Sequence, residues 1–244
     1  MALSSQNRVH NLLLRAAPSD AFALLDSHME RIELTSRLTL VEPDSPTQFV
    51  CFIESGLASV VVMTPNSQMT EVGHIGFEGA TGLHTTLHSE QTPSRTFVQG
   101  EGFGYRVPVS VIREITEQVP MFGSLLLRYV QASNIQLSYT AVANARFSIY
   151  ERLARWLLMC QDRLGDDIGL THEFLAVMLG VRRSGVTDHL HLLEGINAIK
   201  ATRGNIRILD RAKLEEIAGA CYGVAEREYE RLVGLSPRLL KLID

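Results

Sequence analysis

The spacing of apolar residues changes along the chain and predicts its secondary structure. Over 11–26 the spacing has a helical period, which predicts one or two short helices. From Arg31 the apolar residues fall on one parity, as in a strand with one buried face. These alternating residues are Ile32, Leu34, Leu38 and Leu40.

Short β-like runs continue as far as Val107, with turn residues between them. The runs are 48–53, 58–63, 68–75, 95–99 and 105–107. The break at Thr64-Pro65-Asn66 predicts a hairpin, because Pro and Asn favour turn conformations. Many short strands at this spacing predict an antiparallel sandwich or barrel.

The pattern becomes helical after Pro108. A short helix is predicted over 109–118, and Pro120 opens a long helix that runs towards Ala143. Residues along the long helix recur in steps of four and three, which is the spacing of a seam between paired helices. The seam residues are Leu126, Val130, Ser133, Leu137 and Thr140. A further helix is predicted over 148–163.

Two short amphipathic helices with a glycine between them follow. The first is predicted over 171–179 with Thr171 as its N-cap. Gly180 permits the left-handed turn that a tight connection needs, and Val181 supplies an apolar plug. A second helix is predicted from about Arg183, with apolar residues at i, i+4 and i+7. This pattern is that of a helix-turn-helix, whose second helix enters the DNA major groove.

A basic hairpin is predicted directly after this motif. Apolar residues alternate over 199–208 around Arg203-Gly204-Asn205, which makes the arrangement a winged one. Between Val181 and Leu209 five basic and two acidic residues give a net charge of +3. Such a basic segment is expected to bind an anion, and its position in a helix-turn-helix indicates that the anion is DNA.

The overall composition is that of a globular protein, with 244 residues, 45% hydrophobic and 20% charged. A formal net charge of −4 excludes a uniformly basic nucleic-acid binder but not a local basic patch. Three scattered cysteines, Cys51, Cys160 and Cys221, argue against a disulfide framework or a cysteine-bound cluster. Because no signal peptide or membrane-spanning run is evident, we expect a cytoplasmic protein with no membrane partner.

The chain resembles the Crp/Fnr family of bacterial transcription regulators over about residues 10 to 210. The resemblance lies in "VHNLLLRAAPSDAFALL", "ERLARWLLM" and "LTHEFLAVMLGVRRSGVT", and in "VGHIGFEGATGLHTTLHSEQTPSRTFVQ", which follows the pattern VGxxGxEGxxGL…SxRxxVQ of one branch. It implies an α+β chain with an N-terminal double-stranded β-helix (jelly-roll) effector domain, a long dimerisation helix and a C-terminal winged helix-turn-helix domain. The corresponding divisions are 1–118, 119–145 and 146–244, the last including a C-terminal helical extension.

The resemblance also implies an effector site, at which this sequence departs from the nucleotide-binding members. Gly82-Leu83 falls where those members hold the ribose with Gly-Glu, and Arg95-Thr96 falls at their Arg-Ser pair for the cyclic phosphate. On the long helix Ser138 and the bulky Tyr139 replace Thr-Ser. A cyclic nucleotide, another small anion at Arg95 and no ligand at all therefore remain open. The candidate effector residues are Gly82, Leu83, Arg95, Thr96, Ser138 and Tyr139.

The family's Arg-Glu…Arg base readers correspond to Arg183, Ser184 and Asp188, of which only the first is retained. Asp188 is suited to accept a hydrogen bond from cytosine, so the usual half-site is not expected. The predicted DNA-binding residues are Arg182, Arg183, Ser184, Thr187, Asp188, Arg203 and Arg207.

A metal site is not predicted. His84 and His88 are spaced i, i+4 with His74 upstream, but no supporting carboxylate accompanies them. His172-Glu173 begins an H-E-x-x-H pattern in which Ala176 replaces the second histidine. Since no nucleophile–base pair is found either, we expect no enzymatic activity.

The leading hypothesis is a homodimeric regulator that binds a palindromic DNA operator, with RNA polymerase as a further partner. The alternative is a ligand sensor, for a cyclic nucleotide or an anion, that acts through protein partners rather than DNA. The basic winged segment favours the first hypothesis, and Arg95 motivates the second.

Overall fold

The computed structural model describes residues 5–65 and 69–236. Its helices are α1 Leu12–Ala16, α2 Ser19–Asp26, α3 Val109–Gln118, α4 Pro120–Arg146, α5 Ile149–Leu164, α6 His172–Leu179, α7 Arg183–Gly195, α8 Arg211–Ala218 and α9 Val224–Val233. Its strands are β1 Glu30–Leu34, β2 Thr39–Val41, β3 Phe49–Met63, β4 Met69–Ile75, β5 Arg95–Pro108, β6 Asp167–Ile168, β7 Ile199–Thr202 and β8 Asn205–Ile208. Short 3-10 helices lie at Ser5–Arg8, Leu83–Leu87 and Gly219–Cys221.

The amino-terminal strands form one antiparallel sheet, which we call the roll. Its order is β1-β5-β3-β4, and β2 also pairs with β5. Strands β3 and β4 pair from Ala58↔Ile75 to Met63↔Met69, which confirms the predicted hairpin. Asn66, one of its predicted turn residues, lies outside the described residues.

Two strands are longer than predicted. The sequence predicted breaks at Ser55-Gly56 and at 100–102, but β3 and β5 run through these points and pair there with shifts in register. The glycines permit this close approach, because a Cβ at Gly56 would lie 2.6 Å from the carbonyl oxygen of Gly100. Glycine therefore marks bulges in continuous strands here, not turns.

The single strand predicted from Arg31 was wrong, because two shorter strands occupy this stretch. The alternation from Ile32 to Leu40 spans two strands, β1 and β2, with a turn between them that contains Arg37 at φ 68°. Leu38, assigned to the buried face by parity, is 37% exposed because it lies in that turn.

The predicted helices after Pro108 are confirmed. Pro120 lies at the start of α4, which continues to Arg146. The Ser148 hydroxyl accepts from the Glu151 N–H and caps α5, and the Glu151 carboxylate accepts from the Ser148 N–H, so both hydrogen bonds of a capping box are present. No helix in the described ranges is long and apolar enough to cross a membrane.

The buried clusters cross the predicted domain boundaries. One cluster joins Leu57, Val61 and Phe97 of the roll to α5, α6 and α7. Another joins the roll and α1–α4 to Tyr229 and Val233 of α9. Helix α9 lies in the predicted carboxyl-terminal division, 146–244, but it packs on α4, where the rings of Tyr129 and Tyr229 meet edge to face with centroids 6.2 Å apart.

Candidate nucleic-acid interface

The helix-turn-helix is built as its sequence predicts. The Thr171 side chain accepts from the Phe174 N–H and caps α6. Gly180 adopts the left-handed conformation, with φ 64°, and ends that helix. Helix α7 then begins at Arg183 and directs Val186, Leu190 and Leu193 into the core, each fully buried. The opposite face of α7 is thereby left at the surface.

The amino-terminal end of α7 carries the predicted arginines. Arg182 and Arg183 are both exposed, together with Ser184 and Asp188. Neither guanidinium has an ion-pair partner among the residues that the structure describes. Two unpaired cations at a helix amino terminus are available to an external anion, which the helix dipole also favours.

Thr187 differs from the other predicted DNA-binding residues of α7 in its burial and contacts. It is half-buried, its hydroxyl donates to the Arg183 carbonyl oxygen at 3.1 Å, and it lies 3.1 Å from Nδ1 of His172. These contacts hold the first turn of α7 to the start of α6. Thr187 is therefore placed to position the helix end at least as much as to touch DNA.

Two exposed side chains of α7 were not among the predicted DNA-binding residues. His191 is exposed one turn beyond Asp188, and Leu192 is 56% exposed. The spacing of Ser184, Asp188 and His191 at i, i+4 and i+7 could have identified His191, because such residues share one helix face. A histidine can pair with a base edge, and a leucine can contact a thymine methyl group.

The wing consists of β7 and β8, joined at Gly204 with φ 78°, and β6 pairs with the other edge of β8. Arg203 at its tip is exposed. The Arg207 guanidinium lies 3.9 Å from the Asp167 carboxylate, and both side chains are more than half exposed. Of the two wing arginines, Arg207 thus has a nearby carboxylate, whereas Arg203 has no ion-pair partner among the described residues.

Helix α5, which precedes the helix-turn-helix, contacts the roll through buried polar groups. Trp156 Nε1 donates to Glu71 Oε1 at 2.7 Å. Arg163 Nη2 lies 2.7 Å from Glu78 Oε1, with both side chains less than one-tenth exposed. Burial alone would lower the pKa of Arg163, but the carboxylates of Glu78 and Asp162 raise it on balance. The guanidinium therefore stays charged inside the interface.

The predicted effector residues divide into two groups. A cavity of about 220 Å³, which we call the roll cavity, lies between the roll, the Leu83–Leu87 turn and α4, and it opens to solvent. Gly82, Leu83 and Thr96 line it, whereas Arg95, Ser138 and Tyr139 are not among the lining residues that the structure describes. Arg95 instead donates to Thr39 Oγ1 at 2.5 Å and lies 3.8 Å from the Glu42 carboxylate.

The predicted seam on α4 is partly accessible. Leu126 is only 1% exposed and belongs to the core of its own chain. Val130, Ser133 and Thr140 are half-buried, and Leu137 is 45% exposed. The exposed apolar strip also includes residues that the sequence reasoning missed, namely Leu127 at 50% and Val142 at 46%.

Comparison with known proteins agrees with this architecture. The profile of the Crp-like helix-turn-helix domain matches residues 151–217. FixK2 from Bradyrhizobium japonicum is similar in structure, with a TM-score of 0.68 and 13% identity, over 79% of this chain and 98% of FixK2. No curated protein matches the chain by sequence.

Two further solved structures share the fold. A protein from Eubacterium rectale, assigned to the Crp/Fnr family of transcriptional regulators, has a TM-score of 0.67 and 16% identity, over 84% of this chain and 97% of its own. The c-di-GMP responsive global regulator CLP from Xanthomonas campestris has a TM-score of 0.65 and 12% identity, over 78% of this chain and 99% of its own. The chain thus contains a Crp-like helix-turn-helix domain at 151–217 and shares the overall fold of these solved structures.

Proposed function

We propose that this protein is a DNA-binding transcription regulator of the Crp/Fnr type, which binds a palindromic operator as a homodimer. The observation that carries the proposal is the pair of exposed, unpaired arginines at the start of α7, within a matched helix-turn-helix domain. A structural role alone would favour acidic residues at that position, because the helix dipole disfavours cations there.

The chemistry of the exposed α7 face suggests how bases are read. Arg183 can donate two parallel hydrogen bonds to O6 and N7 of guanine, and Arg182 can bind a phosphate. Asp188 can accept from N4 of cytosine, and Arg203 on the wing can bind the backbone of the neighbouring groove. In this division of roles Arg183 and Asp188 provide specificity, and Arg182 and Arg203 provide affinity.

The exposed strip on α4 supports pairing of two chains. Leu127, Val130 and Leu137 follow one another in steps of three and seven, as seam positions of a coiled coil do. Pairing along this strip would bring two α7 helices to one side of the dimer. Half-sites about one helical turn, or about 34 Å, apart are then expected, with RNA polymerase as the partner through which transcription responds.

The direct test is selection of preferred DNA from a random pool, followed by mobility-shift titration at several salt concentrations. Arg183→Ala is expected to weaken binding to the selected site by about 10- to 100-fold and to relax the preference at one position. Arg203→Ala is expected to weaken binding to all sequences alike and to lower the salt dependence by about one counterion.

Arg8→Ala is the matched control, because it removes one exposed arginine far from the helix-turn-helix in sequence. Binding that is insensitive to salt, or an equal loss with Arg8→Ala and Arg183→Ala, would defeat the proposal. The dimer is tested separately by sedimentation equilibrium of Leu137→Glu, which we expect to be monomeric and to bind a full operator no more tightly than a half-site.

A further inference from the structure

A half-buried histidine, His172, lies where both helices of the helix-turn-helix begin. It is the first residue of α6, and its Nδ1 lies 3.1 Å from the hydroxyl oxygen of Thr187 on α7. The same hydroxyl oxygen lies 3.1 Å from the carbonyl oxygen of Arg183, the first residue of α7. One hydroxyl group therefore joins the beginnings of the two helices and holds the imidazole ring beside them.

These hydrogen bonds determine which nitrogen of His172 is available to another molecule. A carbonyl oxygen can only accept, so the Thr187 hydroxyl donates its single proton to Arg183. The hydroxyl oxygen then accepts from Nδ1–H of His172. In the described part of the chain Nε2 has no hydrogen-bond partner. A protonated ring carries hydrogen on both nitrogens, so it fits this arrangement unchanged and presents Nε2–H as a further donor.

The charged groups on the two packed helices act on the charge of this ring. Glu173 follows His172 on α6, and α7 carries Arg183 and Asp188, all of them exposed. Among the described residues no carboxylate forms an ion pair with His172. A positive charge is unfavourable at a helix amino terminus and beside an arginine. A phosphate at the same helix ends reverses that effect, because it brings the negative charge that the ring lacks.

Charged groups of the other neighbouring elements already have partners. Asp167 of β6 lies 3.9 Å from the Arg207 guanidinium. Glu71 of β4, the strand on which α6 packs, accepts from Trp156. These carboxylates are thus engaged away from His172, and an external anion is the counter-ion that a protonated ring would meet.

We propose that DNA binding adds a proton to His172, whose Nε2–H then donates to a phosphate of the DNA backbone. The inference rests on the proposed function and deepens it, because it makes the affinity for DNA depend on pH. The first helix of a helix-turn-helix crosses the DNA backbone, which brings phosphates to the beginning of α6. Imidazole gains its charge between about pH 8 and pH 5, a range in which arginine stays charged.

The sign and size of the effect follow from linkage. Because the DNA-bound form holds more protons than the free form, affinity rises as the pH falls. A phosphate that favours the protonated ring tenfold lowers the dissociation constant by at most about tenfold for each chain. For a dimer on a full operator this amounts to at most about 100-fold between about pH 8.5 and pH 6.0.

The test is a DNA titration of the full chain on its selected operator at about pH 6.0, 7.0 and 8.5, at one salt concentration. Calorimetric titration at neutral pH, in two buffers of different ionisation enthalpy, counts the protons taken up. Up to one proton for each chain is expected. His172→Gln keeps an N–H donor for Thr187 but cannot titrate, so its affinity should not respond to pH. His172→Arg carries a permanent charge and should bind at high pH about as tightly as the unaltered protein binds at low pH.

The two histidines of α7 provide the controls. Nδ1 of His189 lies 2.6 Å from the Gly185 carbonyl oxygen, and its ring centre lies 5.9 Å from that of Tyr150 on α5. His191 is exposed on the same helix face as Asp188. His189→Gln and His191→Gln are each expected to retain the pH dependence of the unaltered protein. Thermal unfolding verifies that all four variants are folded.

The inference is overturned if the unaltered protein takes up no proton, if His172→Gln keeps the full pH dependence, or if His191→Gln removes it. A salt-dependent affinity that does not change with pH would sink this inference and leave the proposed function intact. Absence of DNA binding at every pH and salt concentration would instead defeat the proposed function, and the inference with it.

Discussion

Removal of one partner from the buried Glu78–Arg163 pair tests how strongly this ion pair stabilises the contact between the roll and α5. Arg163 donates through Nε to Glu78 Oε1 at 2.9 Å, and its Nη2 lies 2.7 Å from the same oxygen. The Gly76 N–H lies 3.2 and 3.1 Å from the two carboxylate oxygens. Arg163→Met keeps much of the side-chain volume and leaves the carboxylate with that one backbone donor.

The cost follows from burial. With both side chains less than one-tenth exposed, loss of the cation leaves an unpaired buried carboxylate, and such losses cost about 3–5 kcal/mol. The double variant Glu78→Gln/Arg163→Met removes both charges. It is expected to be more stable than Arg163→Met alone by about 2 kcal/mol, because replacing a whole buried pair is often nearly neutral.

Urea unfolding followed by Trp156 fluorescence measures both effects, because Trp156 lies in the same interface. Arg106→Met is the control, since its two-point pair with Glu30 lies at the surface, and a much smaller change is expected. A difference in stability below about 1 kcal/mol between Arg163→Met and the double variant would refute the reasoning. It would mean that water reaches the pair or that the roll and α5 separate easily.

Three further predictions concern single positions. A Cβ at Gly79 would lie 1.8 Å from the Tyr129 hydroxyl oxygen, so Gly79→Ala should cost about 1–3 kcal/mol in chemical unfolding, and an unchanged midpoint would contradict the packing. Gly180→Ala forces a left-handed alanine and should cost about 1 kcal/mol with a measurable loss of DNA affinity; equal stability would place that turn in another conformation. Hydrogen bonds from Ser148 lower the pKa of Glu151 below its ordinary 4.5, so its stabilisation is present above that pH and is lost as the pH falls through the lowered value. A carboxyl NMR titration should show this lowering, and Ser148→Ala should reduce it but not remove it, because the backbone N–H of residue 148 still donates to Glu151.

The helices were predictable because their signals are local. Thr171 and Ser148 cap helices as their sequences indicate, and Gly180 takes the left-handed conformation expected of it. The strands were less predictable, since Gly56 and Gly102 serve close approach between β3 and β5. A glycine in a turn and a glycine at a bulge look alike in one sequence, because only the partner strand distinguishes them.

The candidate site was predictable in part for the same reason. The exposure of Arg182 and Arg183 follows from the period of α7, which one stretch of sequence contains. The contents of the roll cavity depend on the register of β5 and on the packing of α4, which bring together residues far apart in the chain. Arg95 fits a sequence motif, yet the strand register turns its side chain away from the cavity.

The buried contacts between the roll and α5 also limit how an effector bound to the roll can move the helix-turn-helix. A ligand changes an equilibrium only through its different affinities for two arrangements, and at one hundred times its dissociation constant it contributes at most about 2.7 kcal/mol. Parting Glu78 from Arg163 while either of them stays buried is expected to cost about 3–5 kcal/mol, which is more than that amount. A ligand in the roll cavity can therefore shift α5 only if the ion pair survives in the second arrangement or both of its charges reach water. Since His74 contacts both the cavity and Trp156, a shift of α5 about an intact Glu78–Arg163 contact is one change that the available free energy permits.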